Sequence, residues 1–95
     1  MIFEWDEEKN KKNILKHKIS FEEAGLIFND LTLTIIDSRK DYGEVREISI
    51  GQLSERLIVT VVHTDRNGVT RLISARLANK AERKNYNDYC KKISQ

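Results

Sequence analysis

A chain of 95 residues with 39% apolar and 34% charged side chains is polar for its size, yet rich enough in Ile, Leu, Val and Phe to fold around one core, so a single domain over 1–95 is expected. The lone cysteine, Cys90, excludes an internal disulfide, and no stretch approaches the ~20 apolar residues of a membrane span or the basic-then-apolar pattern of a leader; a cytoplasmic protein without a membrane partner is expected. The net charge of +2 hides an asymmetry, because residues 66–95 carry eight basic and two acidic groups, as one face would on meeting phosphate, although a solvated basic helix gives the same count.

Phe3-Glu4-Trp5 alternates and predicts a short first strand. Asp6 can then cap a very polar helix running through Lys16, to which Ile14 and Leu15 bring the main apolar contribution. Ser20 and Glu23 form an S-x-x-E capping box for a second helix, with Phe21, Ala24 and Phe28 on its buried face and Gly25 and Ile27 at the margin. From Leu31 the period becomes strand-like: Leu33–Ile36 is an apolar run, Glu44–Ile50 alternates, and Leu57–Val62 is apolar enough for a central strand covered on both faces. Asn67-Gly68 predicts a tight hairpin into Val69–Leu77, since both residues tolerate positive φ. A last helix follows Asn79, with Glu82 in the capping-box position and Tyr86, Tyr89, Cys90 and Ile93 as its docking stripe. The fold class is α+β, a two-layer domain in which a short strand and two helices precede a four-stranded antiparallel meander and a C-terminal helix.

The residues present exclude several chemistries. His17 and His63 lie far apart and one cysteine cannot build a zinc site of the usual spacing; a glycine-rich phosphate loop and a serine elbow are missing as well. What remains is a basic and hydroxyl-bearing set: Arg46, His63, Arg71, Ser74, Arg76, Lys80, Arg83 and Tyr86. Cutting RNA without a metal needs a base for the 2′-hydroxyl, a cation for the phosphorane and an acid for the departing 5′-oxygen. His63 suits base or acid, since its ordinary pKa lies near working pH. Arg46, Arg71 and Arg76 suit the phosphate, because a guanidinium fork grips two oxygens and stays charged. Lys80 and Tyr86 could donate a proton or orient a base.

Each of these residues has a structural alternative. A single histidine ending an apolar strand is commonly a hydrogen-bonded core residue. Arg71 and Arg76 are an odd number of positions apart and would face opposite sides of a regular strand, so both serve one site only if a bulge or the strand end intervenes near Ser74–Leu77; otherwise one of them pairs with Glu44 or Glu47. Tyr86 and Tyr89 fit core contacts. Lys9, Lys11, Lys12, Lys16 and Lys18 look like a solvated helix face.

In order along the chain, Phe3-Glu4-Trp5-Asp6, Lys16-His17, Ser20-Phe21-Glu22-Glu23-Ala24, Gly43-Glu44-Val45-Arg46, Ile50-Gly51, Val61-Val62-His63-Thr64, Arg71-Leu72-Ile73-Ser74-Ala75-Arg76, Glu82-Arg83 and Tyr86 form a pattern that resembles the BrnT family. The resemblance implies a toxin with the fold of the RelE-type ribonucleases, which inhibits translation by cutting RNA without a cofactor. It also implies a BrnA-like antitoxin partner with a ribbon-helix-helix domain, a two-plus-two assembly, and contact with operator DNA only through the antitoxin. His63, Arg71, Arg76, Arg46 and Ser74 match pattern positions at which activity is expected, without an assignment of base and acid, and Lys80, Arg83 and Tyr86 are the expected RNA contacts; the alternative is a non-catalytic module that binds antitoxin or RNA. The family often has glycine where this chain has Lys18, and a proline near Asn29-Asp30-Leu31 that is missing here.

Overall fold

A computed structural model describes residues 1–94. In chain order it has β1 (Phe3–Glu4), α1 (Glu7–His17), α2 (Phe21–Ala24) continued by a 3₁₀ segment at Gly25–Asn29, β2 (Thr32–Ile36), β3 (Glu47–Ser54), β4 (Leu57–Arg66), β5 (Val69–Leu77) and α3 (Lys80–Ile93). The strands form one sheet in the order β1-β5-β4-β3-β2. Strands β2 to β5 make the expected antiparallel meander. The short first strand adds a fifth member, pairing parallel to β5 through Phe3–Thr70 and Glu4–Arg71.

Local chemistry sets the helix starts. The Asp6 carboxylate accepts from the Glu8 amide at 2.9 Å. Both capping boxes form: Ser20 Oγ accepts from Glu23 N at 3.0 Å while Glu23 accepts from Ser20 N, and Asn79 and Glu82 exchange the same pair at 2.8 and 2.9 Å. Such caps contribute about 1 kcal/mol each. At the end of α1, Lys18 is left-handed, with φ 63°, the conformation that glycine adopts without a Cβ penalty. Asn67 and Gly68 also have positive φ, giving the tight turn between β4 and β5.

The main core lies where α2 and its 3₁₀ extension cover one sheet face, with Phe21, Ala24 and Ile27 against Val59, Val61, Leu72 and Ala75. Gly51 permits this approach, because a Cβ there would come within 2.8 Å of Ile27 Cβ. Ile27, on the 3₁₀ segment, is fully buried, whereas Phe28 is only partly so, since the tighter winding rotates the face predicted from an α-helical period. On the other face, α3 covers one end of the sheet, where Tyr86 and Ala78 meet Ile50. Ile93, expected in its docking stripe, is 47% exposed.

Helix α1 docks differently from the expectation. Ile14 and Leu15 are 40% and 75% exposed, and the buried residues are Asn10 and Asn13. Asn13 lies along β5 beyond the reach of the two-residue β1. Its Nδ2 donates to Ala75 O at 2.8 Å and its Oδ1 accepts from Ala75 N at 3.1 Å, as a neighbouring strand would. The same Nδ2 donates to Ile19 O, and Asn10 Oδ1 accepts from Phe21 N. A polar helix thus seals a sheet edge with amide groups.

Candidate active site

The pairing of β4 with β5 decides which side chains share a face. Val61 pairs with Ala75 and Val62 with Ser74, but His63 pairs with Leu72, leaving Ile73 as an inserted residue. Had the first register continued, Arg71 would stand opposite Asp65, on the face of His63. The bulge moves it opposite Thr64 instead, while Arg76 stands opposite Thr60. Thr60, Val62 and Thr64 alternate regularly on β4, so Arg71, Ser74 and Arg76 lie on one face of the sheet. This is the face that α3 partly covers. The inserted residue falls just before the Ser74–Leu77 stretch in which the sequence called for it.

The same register separates His63 from Arg71 and Arg76, a correction to the single candidate set in which the sequence groups them. His63 is on the α2 face and 6% exposed. Its ring meets Phe28 edge-on at 5.2 Å, and Nε2 is 2.7 Å from Ser49 Oγ, itself 2.7 Å from Thr34 Oγ1. Burial lowers the His63 pKa from its ordinary value, and the nearby Glu47 charge offsets this only in part. The alternative weighed for it, a hydrogen-bonded core histidine, matches this environment.

The arginines are held by carboxylates from neighbouring elements. Arg71 Nη1 donates to Glu4 at 3.0 Å, and Arg76 grips Glu82 through two bonds of 2.7 and 3.0 Å. Glu82 therefore caps α3 and fixes Arg76 at once. Burial alone would raise the Glu82 carboxyl, but the bonds from Arg76 and the Asn79 amide outweigh it and hold the pKa below the usual range. Arg46 precedes β3, bonds to Glu44 at 3.3 Å, and stacks over the Tyr42 ring at 4.0 Å. The loop carrying it is pinned by Asp37, whose carboxylate accepts from Arg39 and Tyr42. Arg66 reaches Glu44 as well, an ion pair that sequence reasoning did not single out. Of the two partners expected for an arginine outside the site, Glu44 pairs with Arg46 and Arg66 and Glu47 with no arginine among the described residues, while Arg71 and Arg76 use Glu4 and Glu82.

Of the helix residues named from the sequence, Lys80 is exposed in the first turn of α3, and Arg83 is exposed with Nη1 donating to Ala78 O at 2.8 Å. Tyr86 is 4% exposed. Its hydroxyl donates to Leu31 O at 3.0 Å, and burial pushes its pKa up to about 12. It docks α3 and presents no surface to RNA, because the helix turns it toward Ile50. Among the described residues no three His, Cys, Asp or Glu side chains gather as a metal site would require.

Three of the lysines that in sequence look like a solvated helix face, Lys9, Lys12 and Lys16, border a concave region. Between α1 and β5, Lys9, Lys12, Asn13, Lys16, His17, Ile73 and Ser74 line a cleft of about 210 Å³. The signal that could have revealed it is the pair Asn10 and Asn13 in mid-helix, where asparagine is unfavourable unless its amide is used.

An α+β domain with a row of strand arginines and a hydroxyl on one sheet face has the equipment of a protein that handles phosphodiesters. The family model described as ribonuclease toxin, BrnT, of type II toxin-antitoxin system matches residues 5–82, and the chain belongs to that family. Among solved structures, the Brucella abortus ribonuclease toxin BrnT is similar at 23% identity and a TM-score of 0.62, covering 84% of this chain and all of that one; the likeness establishes the fold. No curated protein matches the chain.

Proposed function

We propose that the protein is a metal-independent endoribonuclease that inhibits translation by cutting RNA on the α3-side face of its sheet. The supporting observation is the bulge at Ile73, which aligns Arg71, Ser74 and Arg76 on that face. In this reading Arg71 and Arg76 neutralise the phosphorane, Ser74 hydrogen-bonds a phosphate oxygen, and Arg46 with Lys80 and Arg83 holds the flanking strand. With His63 turned to the other face, the proton acceptor for the 2′-hydroxyl is the Glu4 carboxylate beside Arg71, and the departing 5′-oxygen takes its proton from water to leave as a 5′-hydroxyl. Glu82 is less available as acceptor, because both of its carboxylate oxygens are bonded to Arg76. The partner is a BrnA-like ribbon-helix-helix antitoxin in a two-plus-two assembly with a RelE-like toxin fold, and operator DNA is met only through it. The compartment is the cytoplasm.

The test is incubation of the purified chain with single-stranded RNA in excess EDTA. Cleavage giving 5′-hydroxyl and 2′,3′-cyclic phosphate ends is the expected result; intact RNA, or cutting that returns only with a divalent cation, would overturn the assignment. One observation favours a second reading. Arg46, Arg71 and Arg76 all have carboxylate partners, as suits a module that binds antitoxin or RNA without cutting. Phosphate must displace Glu4 and Glu82 for catalysis, so wild-type binding to RNA without cleavage would select that module.

A further inference from the structure

The sheet arginines are neutralised within the chain, but Lys9, Lys12 and Lys16 have no carboxylate partner among the described residues; on α1 only Lys11 pairs, with Glu8. At positions i, i+3 and i+7 the three ammonium groups lie within one narrow stripe of the helix. Like charges so spaced repel and destabilise the helix. The helix dipole accounts for Lys16 and His17 in the last turn, where cations are favoured, but not for Lys9 near the N-terminus, where they are not. All three lysines line the cleft against Ile73 and Ser74, and no acidic side chain is among its lining residues. Asn13, buried and bonded to the β5 backbone through both amide atoms, holds the helix at this distance from the strand.

Ser74 connects this cleft to the arginine face. It pairs with Val62 on that face and also lines the cleft, because among the described residues β5 has no strand neighbour beyond Arg71 on that side. Arg76 is two residues along the same strand, about 7 Å at strand spacing. A polyanion lying over Arg76 and Ser74 can therefore continue across the β5 edge into the lysines without crossing an acidic group of the cleft.

We infer that the α1–β5 cleft is a phosphate-binding subsite that takes the backbone of single-stranded RNA next to the scissile nucleotide. The inference rests on the proposed RNA-cutting role for its purpose, but binding can be measured apart from cleavage. The cleft reads no base: its lysines contact phosphate, which adds affinity along the strand and a dependence on RNA length.

The experiment uses the full chain and a labelled 2′-O-methyl RNA 12-mer, which cannot be cut through its 2′-oxygen, with fluorescence anisotropy as a function of salt. The triple variant Lys9→Gln/Lys12→Gln/Lys16→Gln keeps helix propensity. It is expected to bind at least about tenfold more weakly at low salt, with a salt slope reduced by about 2, since each lost contact to a single strand removes roughly 0.7. The control Lys84→Gln/Lys91→Gln/Lys92→Gln, on α3, removes equal charge and should change binding less than threefold. Equal losses in both triples, or an unchanged affinity and slope in the α1 triple, would overturn the subsite. So would intact RNA binding with weakened binding of an acidic peptide, which would give the cleft to a protein partner. Wild-type chain that binds the 12-mer through these lysines yet leaves an ordinary RNA uncut would remove the ribonuclease proposal alone.

Discussion

Arg71 and Arg76, five residues apart on β5, share a face of the sheet because Ile73 is inserted between them, while His63 on the adjacent strand faces the other way. The insertion is what turns two residues of opposite parity into neighbours in one row.

Asn13 stands in for a missing strand, so Asn13→Ala leaves the N–H and C=O of Ala75 and the C=O of Ile19 without their partner. A loss of about 2–3 kcal/mol is expected after allowing for the better helix propensity of alanine, measured by urea denaturation. A loss under about 0.5 kcal/mol would mean that water replaces the amide and that α1 is held by other contacts.

His63 is buried with a lowered pKa, so the unfolded chain binds its proton more readily than the folded one. Its contribution is fully present above about pH 6.5 and declines as pH falls from there toward the folded-state value. Melting temperature should therefore drop between pH 6.5 and pH 5, and His63→Asn should flatten that drop. An equal slope in the variant would place the titrating group elsewhere.

Glu82 titrates in a separate, more acidic window. Its folded pKa is held below the ordinary carboxyl value, so the stability it adds is present above about pH 4.5 and is lost as pH falls through the folded value. Glu82→Gln should lower the melting temperature at pH 7, and the gap from wild type should close below pH 4. A gap that persists at pH 3 would show that the side chain acts through shape and capping, not charge.

Lys18 occupies a left-handed C-cap, a conformation that glycine adopts without a Cβ penalty. Lys18→Gly should stabilise the chain by about 0.5–1 kcal/mol, with the greater flexibility of glycine in the unfolded chain limiting the gain. For a domain of this size that is a rise of a few degrees in melting temperature, readable by calorimetry.

Much of the fold can be read from the sequence because its signals are local. Asp6, Ser20 with Glu23, and Asn79 with Glu82 announce the helix starts, Asn67-Gly68 fixes the last hairpin, and the apolar run Leu57–Val62 marks the central strand. What is not local is not legible. The parallel partner of Phe3–Glu4 lies more than sixty residues away, and docking of α1 through Asn10 and Asn13 leaves no apolar stripe to count. The site shows the same division. Arg71, Ser74, Arg76 and Arg46 could be named from residue type, but the face shared by Arg71, Ser74 and Arg76 depends on a single inserted residue, which alternation cannot locate. The identical uncertainty of one register step placed His63 with the arginines, and the apolar strand around it was the cue to its burial.

The most direct test compares RNA cleavage rates at pH 7 for Arg71→Ala, Arg76→Ala and His63→Asn, each checked for retained fold. Each arginine variant should lose about 100-fold or more in rate, in the range for removing a group that stabilises transition-state charge, whereas folded His63→Asn should cut RNA within a few fold of wild type. Folded His63→Asn that no longer cleaves, beside arginine variants that still do, would contradict a catalytic face built on Arg71 and Arg76.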